Sequence, residues 1–323
     1  MLQPRRYLIT GICGFVGKHF MRFLSQNHPG CEVLGMDINP KPENLCYGVN
    51  NFQYVQADLL DSAAVKRSLA SFRPDYVLHL ASVSSVAKSW EMPVESFKNN
   101  TNIFLNLVEI IRELNFRTRI LSIGSSEEYG NYTQNEMPLK EEYELRPSSP
   151  YSVARVSQEL LSNLYAKGYG LDIVMTRSFN HIGPHQSDKF AISSFVKQLV
   201  EISRRRRENV INVGNIEVIR DFLDVRDVVD IYYTLLMEGK SAEVYNVCSG
   251  VGIKLRDIIE KAAKTLDIDV QINIDSARIR TTDATVIIGD NSKIRKEFGW
   301  TPKFTLDETI KDMINCRKED VNA

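Results

Sequence analysis

The sequence has few of the features that mark membrane, secreted or metal-binding proteins. None of its hydrophobic runs approaches the roughly 18 apolar residues that span a bilayer, and the apolar run at residues 7–10 is too short for the core of a signal peptide. The 5 cysteines have no disulfide or metal-binding spacing, and the 5 histidines form no ligand pattern. These absences argue against a disulfide framework, a metal site and a membrane partner, and they predict a cytoplasmic protein.

An excess of charge of either sign is also missing. The 40 Lys and Arg residues nearly balance the 41 Asp and Glu residues, so the net charge of −1 gives no electrostatic reason to expect nucleic acid as a partner. The one basic run, four arginines at residues 204–207, follows an amphipathic stretch and is interpreted as a solvated helix end; a phosphate-binding or interface role is the alternative.

What is present is the pattern of a parallel α/β fold. Short apolar strands alternate with helical segments in the first half of the chain, as in a doubly wound sheet. The predicted strands lie at residues 7–10, 32–37, 52–56, 76–80, 119–123 and 172–177. The predicted helices lie at residues 15–26, 63–71, 94–114 and 151–169. This pattern predicts a Rossmann-type domain, binding a dinucleotide, over residues 1–180.

The pattern becomes less regular after residue 180. Small strands are predicted at residues 210–213 and 244–248, and helices at residues 257–266 and 307–315. No linker, repeat or low-complexity segment separates the two halves. We therefore expect residues 181–323 to form a smaller C-terminal substrate-binding domain that is interleaved with the first.

A glycine-rich loop follows the first predicted strand and opens a helix. Gly11 permits the tight turn, Gly14 lets backbone N–H groups approach a pyrophosphate, and Gly17 allows close packing of helix and strand. The helix N-terminus at Phe15 and Val16 adds a partial positive charge that faces the phosphates. The loop is therefore predicted to bind a dinucleotide.

An acidic residue at the end of the second strand favours one of the two dinucleotides. A carboxylate at Asp37 can accept hydrogen bonds from the adenosine ribose hydroxyls and repels a 2′-phosphate. No arginine follows it immediately, since the next residues are Ile38 and Asn39. NAD(H) is therefore predicted in preference to NADP(H).

Two polar segments further along the chain indicate redox chemistry. Ile-Gly-Ser-Ser-Glu-Glu-Tyr-Gly at residues 123–130 closes a strand, and Ser-Pro-Tyr-Ser-Val-Ala-Arg at residues 149–155 opens a helix. Tyr151 and Arg155 therefore lie one turn apart on one helical face. A tyrosine that moves a proton, a cation that stabilises its phenolate and a hydroxyl that orients the reacting oxygen suit interconversion of a carbonyl and an alcohol.

These segments resemble those of the short-chain dehydrogenases, whose signature is Ser/Thr…Tyr-x-x-x-Lys. The Gly-x-x-Gly-x-x-Gly spacing of the first loop is similar to that of the extended branch, which acts mainly on nucleotide sugars. Residues 124–130, Phe-Asn-His-Ile-Gly-Pro at 179–184, Gly-Asn-Ile-Glu-Val-Ile-Arg-Asp-Phe at 214–222 and Val-Arg-Asp-Val at 225–228 resemble the GDP-6-deoxy-4-keto-mannose reductases. The GDP-mannose 4,6-dehydratases are next in similarity, and the resemblance covers nearly the whole chain.

The resemblance implies NAD(H)-dependent reduction of the C4 ketone of a GDP-4-keto-6-deoxy-hexose. Ser125, Tyr151 and Arg155 match the catalytic positions, and Glu127 falls where the dehydratases keep the group that removes the C5 proton. Glu127 could equally accept a hydrogen bond from the substrate. The alternatives are therefore a GDP-mannose or GDP-heptose 4,6-dehydratase with bound NAD, a C4 dehydrogenase or epimerase of a GDP-sugar, and a non-catalytic NAD-binding sensor or partner subunit.

One residue departs from the family pattern. Arg155 stands where the family carries lysine, and arginine keeps the charge but is bulkier and cannot pass on a proton. The substitution is compatible with an active enzyme, with specialised or slowed chemistry, or with a retired active site. Because the rest of the site is intact, we expect an active enzyme.

The resemblance also implies binding residues for cofactor and substrate. Asp58 and Leu59 after the third strand, and Leu80 and Ala81 at the end of the fourth, match cofactor positions, although Asp58 could be an ordinary turn residue. The positions that match the family's binding site for the nucleoside diphosphate are Asn180, Lys197, Arg220 and Arg280. Arg280 has the weaker match, because threonine and not proline follows it.

The family commonly forms dimers through its two long helices, so a homodimer or homotetramer is expected. The corresponding helices here are predicted at residues 94–114 and 151–169. Ile103, Leu107, Ile110 and Leu161 could supply the interface, or they could belong to the core, because one face of each helix must cover the sheet.

Overall fold

The computed structural model describes residues 5–42, 48–49, 51–276 and 284–320. Its strands are β1 (Arg6–Thr10), β2 (Glu32–Asp37), β3 (Asn51–Gln56), β4 (Tyr76–His79), β5 (Arg119–Ser125), β6 (Asp172–Ser178), β7 (Asn180–Ile182), β8 (Val210–Val213), β9 (Ile219–Asp224), β10 (Val244–Val247), β11 (Gly252–Lys254), β12 (Gln271–Ile274) and β13 (Val286–Ile287). Its helices are α1 (Phe15–Asn27), α2 (Ser62–Phe72), α3 (Val86–Glu91), α4 (Pro93–Phe97), α5 (Ile103–Leu114), α6 (Pro150–Tyr169), α7 (Ala191–Ser203), α8 (Val225–Glu238), α9 (Leu255–Thr265), α10 (Ser292–Phe298) and α11 (Leu306–Asp320).

A 7-stranded sheet in the order β10-β6-β5-β4-β1-β2-β3 organises the larger part of the chain. The neighbouring pairs from β6 to β3 are all parallel. The chain winds outward from β1 in both directions, so the strand order reverses between β1 and β4. In open α/β sheets, ligands bind at this reversal, beyond the carboxyl ends of the strands. The predicted Rossmann-type α/β fold is confirmed.

The chain forms two compact units. The first contains Met1–Gly130, Glu144–Ser178 and Val229–Asn246, and the second contains Asn131–Tyr143, Phe179–Val228 and Val247–Ala323. Leu8, Phe104 and Ile120 lie in the core of the first unit, and Phe195, Ile258 and Ile310 lie in the core of the second. The chain passes between the units several times. Their assignment to cofactor binding and substrate binding stays a prediction.

The predicted strands of the first half agree with β1–β6 to within two residues at each end. The helix predicted over residues 94–114 is interrupted by a 5-residue π-helical segment, Lys98–Asn102. The side-chain amide of Asn100 donates to the carbonyl oxygen of Ser96 at 2.6 Å, which is the acceptor that the backbone N–H of Asn100 would use in an α-helix. The side-chain amide of Asn100 therefore competes with the backbone N–H for this carbonyl oxygen, which accounts for the wider, π-helical turn.

Several elements after residue 180 were not predicted or lie elsewhere than predicted, and β10 and α8 are the clearest cases. The strand expected at residues 244–248 is β10, which lies beside β6 at the edge of the large sheet and not in a separate small sheet. The N–H of Met175 donates to the carbonyl oxygen of Glu243 at 2.9 Å, which brings this segment to the sheet edge. The long helix α8 was not predicted. Partner choice among strands depends on contacts distant in sequence, which local patterns do not carry.

No helix in the described part of the chain is long and apolar enough to cross a membrane. Cys13, Cys31, Cys248 and Cys316 are free thiols, and Cys46 lies outside the described residues.

Candidate active site

The glycine loop joins β1 to α1 at the point where the strand order reverses. Gly11 has a φ of +68°, and a Cβ atom there would lie 2.7 Å from the backbone nitrogen of Ala81, so only glycine fits. A Cβ atom at Gly17 would lie 2.5 Å from the carbonyl oxygen of Ile12. Gly11 therefore permits the tight turn and Gly17 the close packing of helix and strand, as predicted for each.

The N-terminus of α1 can receive an anion. The first hydrogen bond along the helix runs from the N–H of Lys18 to the carbonyl oxygen of Gly14 at 3.1 Å. Gly14 is the N-cap residue and has no side chain that could cap the amides of the first helical turn. Phe15 and Val16, which begin the helix, are half-buried. Amides without a side-chain cap and the helix dipole together suit a pyrophosphate group.

Asp37 connects the end of β2 to the glycine loop. Its carboxylate accepts a hydrogen bond from the N–H of Cys13 at 2.9 Å and two more from the backbone and side-chain amides of Asn39, at 2.9 and 2.8 Å. The residue is 7% exposed. Its negative charge is therefore fixed beside the loop predicted to bind the pyrophosphate.

The other predicted cofactor residues end neighbouring strands. Leu80 and Ala81 follow β4, where their N–H groups donate to the carbonyl oxygen and to Oγ1 of Thr10, at 3.2 and 3.3 Å. They therefore lie directly beside Gly11. Asp58 follows β3 with an exposed side chain that accepts the N–H of Leu60 at 2.9 Å, whereas Leu59 is buried.

Ser125 ends β5 and caps a short 3-10 helix, Ser126–Tyr129. Its Oγ accepts the N–H of Glu127 at 3.2 Å, and its own N–H donates to Oε1 of Glu128 at 2.6 Å. This reciprocal arrangement is a capping box, which fixes the orientation of both groups. Ser125 is 9% exposed, while Glu127 is half-buried in the same turn.

Tyr151 and Arg155 meet on α6, as the spacing predicted. Nε of Arg155 donates to Oη of Tyr151 at 3.2 Å, and the guanidinium lies 5.2 Å from the centre of the tyrosine ring. Nη1 of Arg155 donates to the carbonyl oxygen of Ile123 and to Oε1 of Gln158, each at 2.9 Å. The helix packs against β5 and the turn that carries Ser125, so all three predicted groups belong to one packed region.

The positive charge of Arg155 is buried without a carboxylate partner among the described residues. Its side chain is 4% exposed, and its three hydrogen-bond partners in the described part of the chain are uncharged oxygens. Burial of an unpaired charge is costly, so the site gains stability when a negative charge forms or binds beside it.

A neighbouring histidine carries no second positive charge. Burial, and then the charge of Arg155, lowers the pKa of His79 to about 3, so the ring is neutral at physiological pH. Nδ1 of His79 lies 2.9 Å from Oγ1 of Thr10. His79 thus adds polar contacts beneath the glycine loop while Arg155 remains the cation next to Tyr151.

Three of the four predicted substrate-binding residues lie in the second unit. Asn180, on β7, donates to the carbonyl oxygen of Asp221 at 3.3 Å, and Arg220, on β9, donates to the carbonyl oxygen of Ile219 at 2.9 Å. Lys197, on α7, forms an ion pair with Asp188 at 2.7 Å and remains partly exposed. Arg280 lies outside the described residues.

Sequence patterns did not reveal several polar groups that support the site. Gln158 connects Arg155 to Oγ of Ser122 with a 2.9 Å hydrogen bond, and Glu128 holds Ser125. Gln158 follows Arg155 by three residues, so helical spacing could have indicated the first contact. Ser125 and Glu128 have the Ser-x-x-Glu spacing of a capping box, which is also a local signal. Only the contact between Gln158 and Ser122 joins α6 to β5 and has no local signal.

Comparison with known proteins identifies the family of the chain. The sequence model of the family described as GDP-mannose 4,6 dehydratase matches residues 8–313. The GDP-6-deoxy-D-mannose reductase of Pseudomonas aeruginosa is 31% identical, and the alignment covers 97% of this chain and 97% of that protein. A GDP-mannose 4,6-dehydratase of Vibrio cholerae is 26% identical over 98% of this chain and 94% of its own length.

Solved structures show the same architecture. The structure of RMD from Pseudomonas aeruginosa complexed with NADPH is 30% identical and has a TM-score of 0.86, covering 98% of this chain and 99% of that one. The resemblance expected from the motifs is therefore confirmed. The chain belongs to the GDP-mannose 4,6-dehydratase family.

Proposed function

We propose that this protein reduces the C4 ketone of a GDP-linked 4-keto-6-deoxy-hexose with hydride from a nicotinamide dinucleotide. The observation that carries the proposal is the hydrogen bond of 3.2 Å from Arg155 to Tyr151 on a helix that packs against the Ser125 turn. The similarity to a GDP-6-deoxy-D-mannose reductase supports the substrate class.

Tyr151 is the proton donor in this proposal. As hydride reaches the C4 carbon, the ketone oxygen becomes negative and requires a proton, which Oη of Tyr151 supplies. The phenolate that remains lies beside the guanidinium of Arg155. The other partners of Arg155 that the structure describes are uncharged oxygens, so no carboxylate in this part of the chain weakens its attraction for the phenolate.

Ser125 orients the ketone. Its Oγ already accepts the N–H of Glu127, so its O–H group is left to donate elsewhere. A donor held in place by the capping box can stabilise the ketone oxygen as charge develops, with little reorganisation during the reaction.

The dinucleotide supplies the hydride when it is bound, and the residues around the β1–α1 loop fit it. Gly11, Gly14 and the first turn of α1 would hold the pyrophosphate, and Asp37 would hold the adenosine ribose. The same position of Asp37 favours NAD(H), because its fixed carboxylate would repel a 2′-phosphate. Asp58, Leu59, Leu80 and Ala81 would line the cofactor from the neighbouring strand ends.

The substrate's diphosphate requires cations and hydrogen-bond donors. Asn180, Lys197 and Arg220 supply such groups in the second unit, and we assign them to binding of the nucleoside diphosphate. Arg280 keeps the same assignment from the family resemblance alone.

A dehydratase is the second candidate, favoured by the position of Glu127. The carboxyl group of Glu127 is half-buried in the same capping turn as Ser125, where it could remove the C5 proton of a transiently oxidised GDP-mannose. The Vibrio cholerae relative supports this alternative.

Two substrates separate the candidates. Supplied with GDP-4-keto-6-deoxy-mannose and NADH, the protein should consume one NADH per ketone reduced, followed at 340 nm and by chromatography of the sugar nucleotide. GDP-mannose with bound NAD should give no 4-keto-6-deoxy product. In the reductase assay, Tyr151→Phe should lower kcat by about 100- to 10,000-fold through loss of the proton donor. Tyr165→Phe, farther along the same helix, is the matched control. If GDP-mannose instead gives a 4-keto-6-deoxy product, the protein is a dehydratase and the reductase proposal is wrong.

Arg155 provides a second prediction. Arg155→Met removes the buried cation and should lower kcat by about 100-fold, because the phenolate loses its charged neighbour. Arg155→Lys keeps the charge and should stay within about 10-fold of the wild type. Initial rates at saturating NADH and sugar nucleotide measure both effects, with Arg112→Met as an exposed control. Wild-type turnover by the methionine variant would exclude the proposed role, and a faster lysine variant would show that arginine slows the reaction.

The cofactor preference depends on Asp37. Asp37→Asn removes the negative charge and should raise the affinity for NADPH relative to NADH by about 10-fold, equivalent to about 1.4 kcal/mol. Fluorescence titration with each cofactor measures this ratio, with Asp61→Asn, at the N-cap of α2, as a control outside the proposed site. If the wild type already binds NADPH more tightly than NADH, the assignment to NAD(H) is wrong.

We also propose that two copies associate through α6, as a homodimer or as half of a homotetramer. Ile103, Leu107 and Ile110, considered above for this interface, are at most 5% exposed and belong to the core. The exposed apolar side chains on one face of α6 are Val153, Leu160 and Leu164, from 44% to 61% exposed. An apolar helix face of this kind is typical of an interface.

Charge on this face should prevent association. The double variant Leu160→Glu and Leu164→Glu should sediment as a monomer at micromolar concentration, since burial of two carboxylates in an interface is unfavourable. Ile274→Glu, at an exposed position in the second unit, is the control. A wild-type protein that is monomeric in the same experiment would contradict the proposal.

A cytoplasmic location stays a prediction from the cysteine content.

A further inference from the structure

A fully buried acidic side chain lies directly beneath the Ser125 turn. Glu128 is 0% exposed, and its Oε1 accepts the N–H of Ser125 at 2.6 Å. Its Oε2 is also buried and has no hydrogen-bond partner among the described residues. A Cβ atom at Gly124 would lie 2.4 Å from Oε1, so the glycine leaves the space that this carboxyl group occupies.

The charged neighbours of Glu128 come from two other elements. Arg177, on β6, forms two hydrogen bonds with the carboxylate of Glu159 on α6, at 2.7 and 2.8 Å. The guanidinium also lies 4.7 Å from the ring centre of Tyr129, whose hydroxyl donates to Asn246 at 2.7 Å. Glu159 lies two turns beyond Tyr151 on α6. The cluster therefore joins the Ser125 turn to the helix that carries the proton donor.

We propose that Glu128 is a positioning residue that holds Ser125 in register with Tyr151. The inference rests on the proposed function, because Ser125 matters only where a carbonyl oxygen must be oriented. Without an acceptor on residue 128, the buried N–H of Ser125 would lose its partner, and the turn would have to shift to satisfy it. A shift of about 1 Å in a reacting group can cost about 100-fold in rate.

Glu128 acts in this role as a neutral acid. Burial, and then the charge of Glu159, raises the pKa of Glu128 well above its usual range, while Arg177 acts in the opposite direction. Arg177 is already paired with Glu159, so a second carboxylate would leave the cluster with one excess negative charge. When Glu128 is neutral, its Oε1 still accepts the N–H of Ser125, and its protonated Oε2 becomes an O–H donor.

Substitution by leucine and by glutamine separates positioning from simple packing. Glu128→Leu keeps the volume but removes the acceptor, and it should lower kcat of the reductase reaction by about 10- to 100-fold while leaving the Kd for NADH within about two-fold. Glu128→Gln keeps a neutral acceptor and donor and should restore kcat. If the leucine variant is folded and keeps wild-type kcat, or if the glutamine variant loses as much activity as leucine, the proposal is overturned.

Two measurements do not depend on turnover. Amide hydrogen exchange over residues 124–130 should be faster in Glu128→Leu and unchanged in Glu128→Gln, because only leucine releases the N–H of Ser125. The Tm of the wild type should also fall relative to Glu128→Gln as pH rises above 4.5, the ordinary pKa of glutamate, because the unfolded group then ionises while the buried group stays protonated; the fall ends where the folded group ionises. If Glu128→Leu does not fold, the glutamine variant alone tests the proposal. The proposal is overturned if the Tm of the wild type and that of Glu128→Gln change in parallel with pH, or if amide exchange over residues 124–130 is faster in Glu128→Gln. Absence of wild-type turnover with the expected exchange and Tm results would contradict the function alone.

Discussion

The buried charge of Arg155 is the constraint on which the candidate active site depends. A guanidinium that is 4% exposed must find acceptors inside the protein, and here these are a tyrosine hydroxyl, a strand carbonyl and a glutamine amide. These three contacts fix the side chain between β5 and α6. Because none of these acceptors is charged, the site favours a negative charge beside the guanidinium, and in the proposed reaction proton transfer from Tyr151 would supply it.

The surrounding structure keeps that charge effective. His79 is neutral because it is buried, and the charge of Arg177 is balanced by its ion pair with Glu159. Neither neighbour therefore adds a net charge beside Arg155. Ser125 is held by a capping box, in which its Oγ accepts the N–H of Glu127 and its own N–H donates to Oε1 of Glu128. The guanidinium of Arg155 is accommodated in this setting, since the carbonyl oxygen of Ile123 and the side chain of Gln158 accept its N–H groups.

The sequence predicted the framework closely and the smaller unit less well. Strands β1–β6 and the glycine loop were located because each has a local signal: an apolar run, a turn glycine or a helix start. The π-helical turn depends on the side chain of Asn100 competing for a carbonyl, and the placement of β10 depends on pairing with β6. Ile103, Leu107 and Ile110 could not be assigned to core or interface until the packing of α5 was known.

By itself the sequence determined the parts of the candidate site: a glycine loop after β1, an acidic residue after β2, and a tyrosine and a cation one helical turn apart. Each of these relations lies within a few residues or follows from the order of the strands. Only the tertiary structure decided what surrounds them. Arg155 meets a carbonyl 32 residues away, and Glu128 lies beside charges from α6 and β6. Burial and charge balance are properties of packed elements, and no local pattern specifies them.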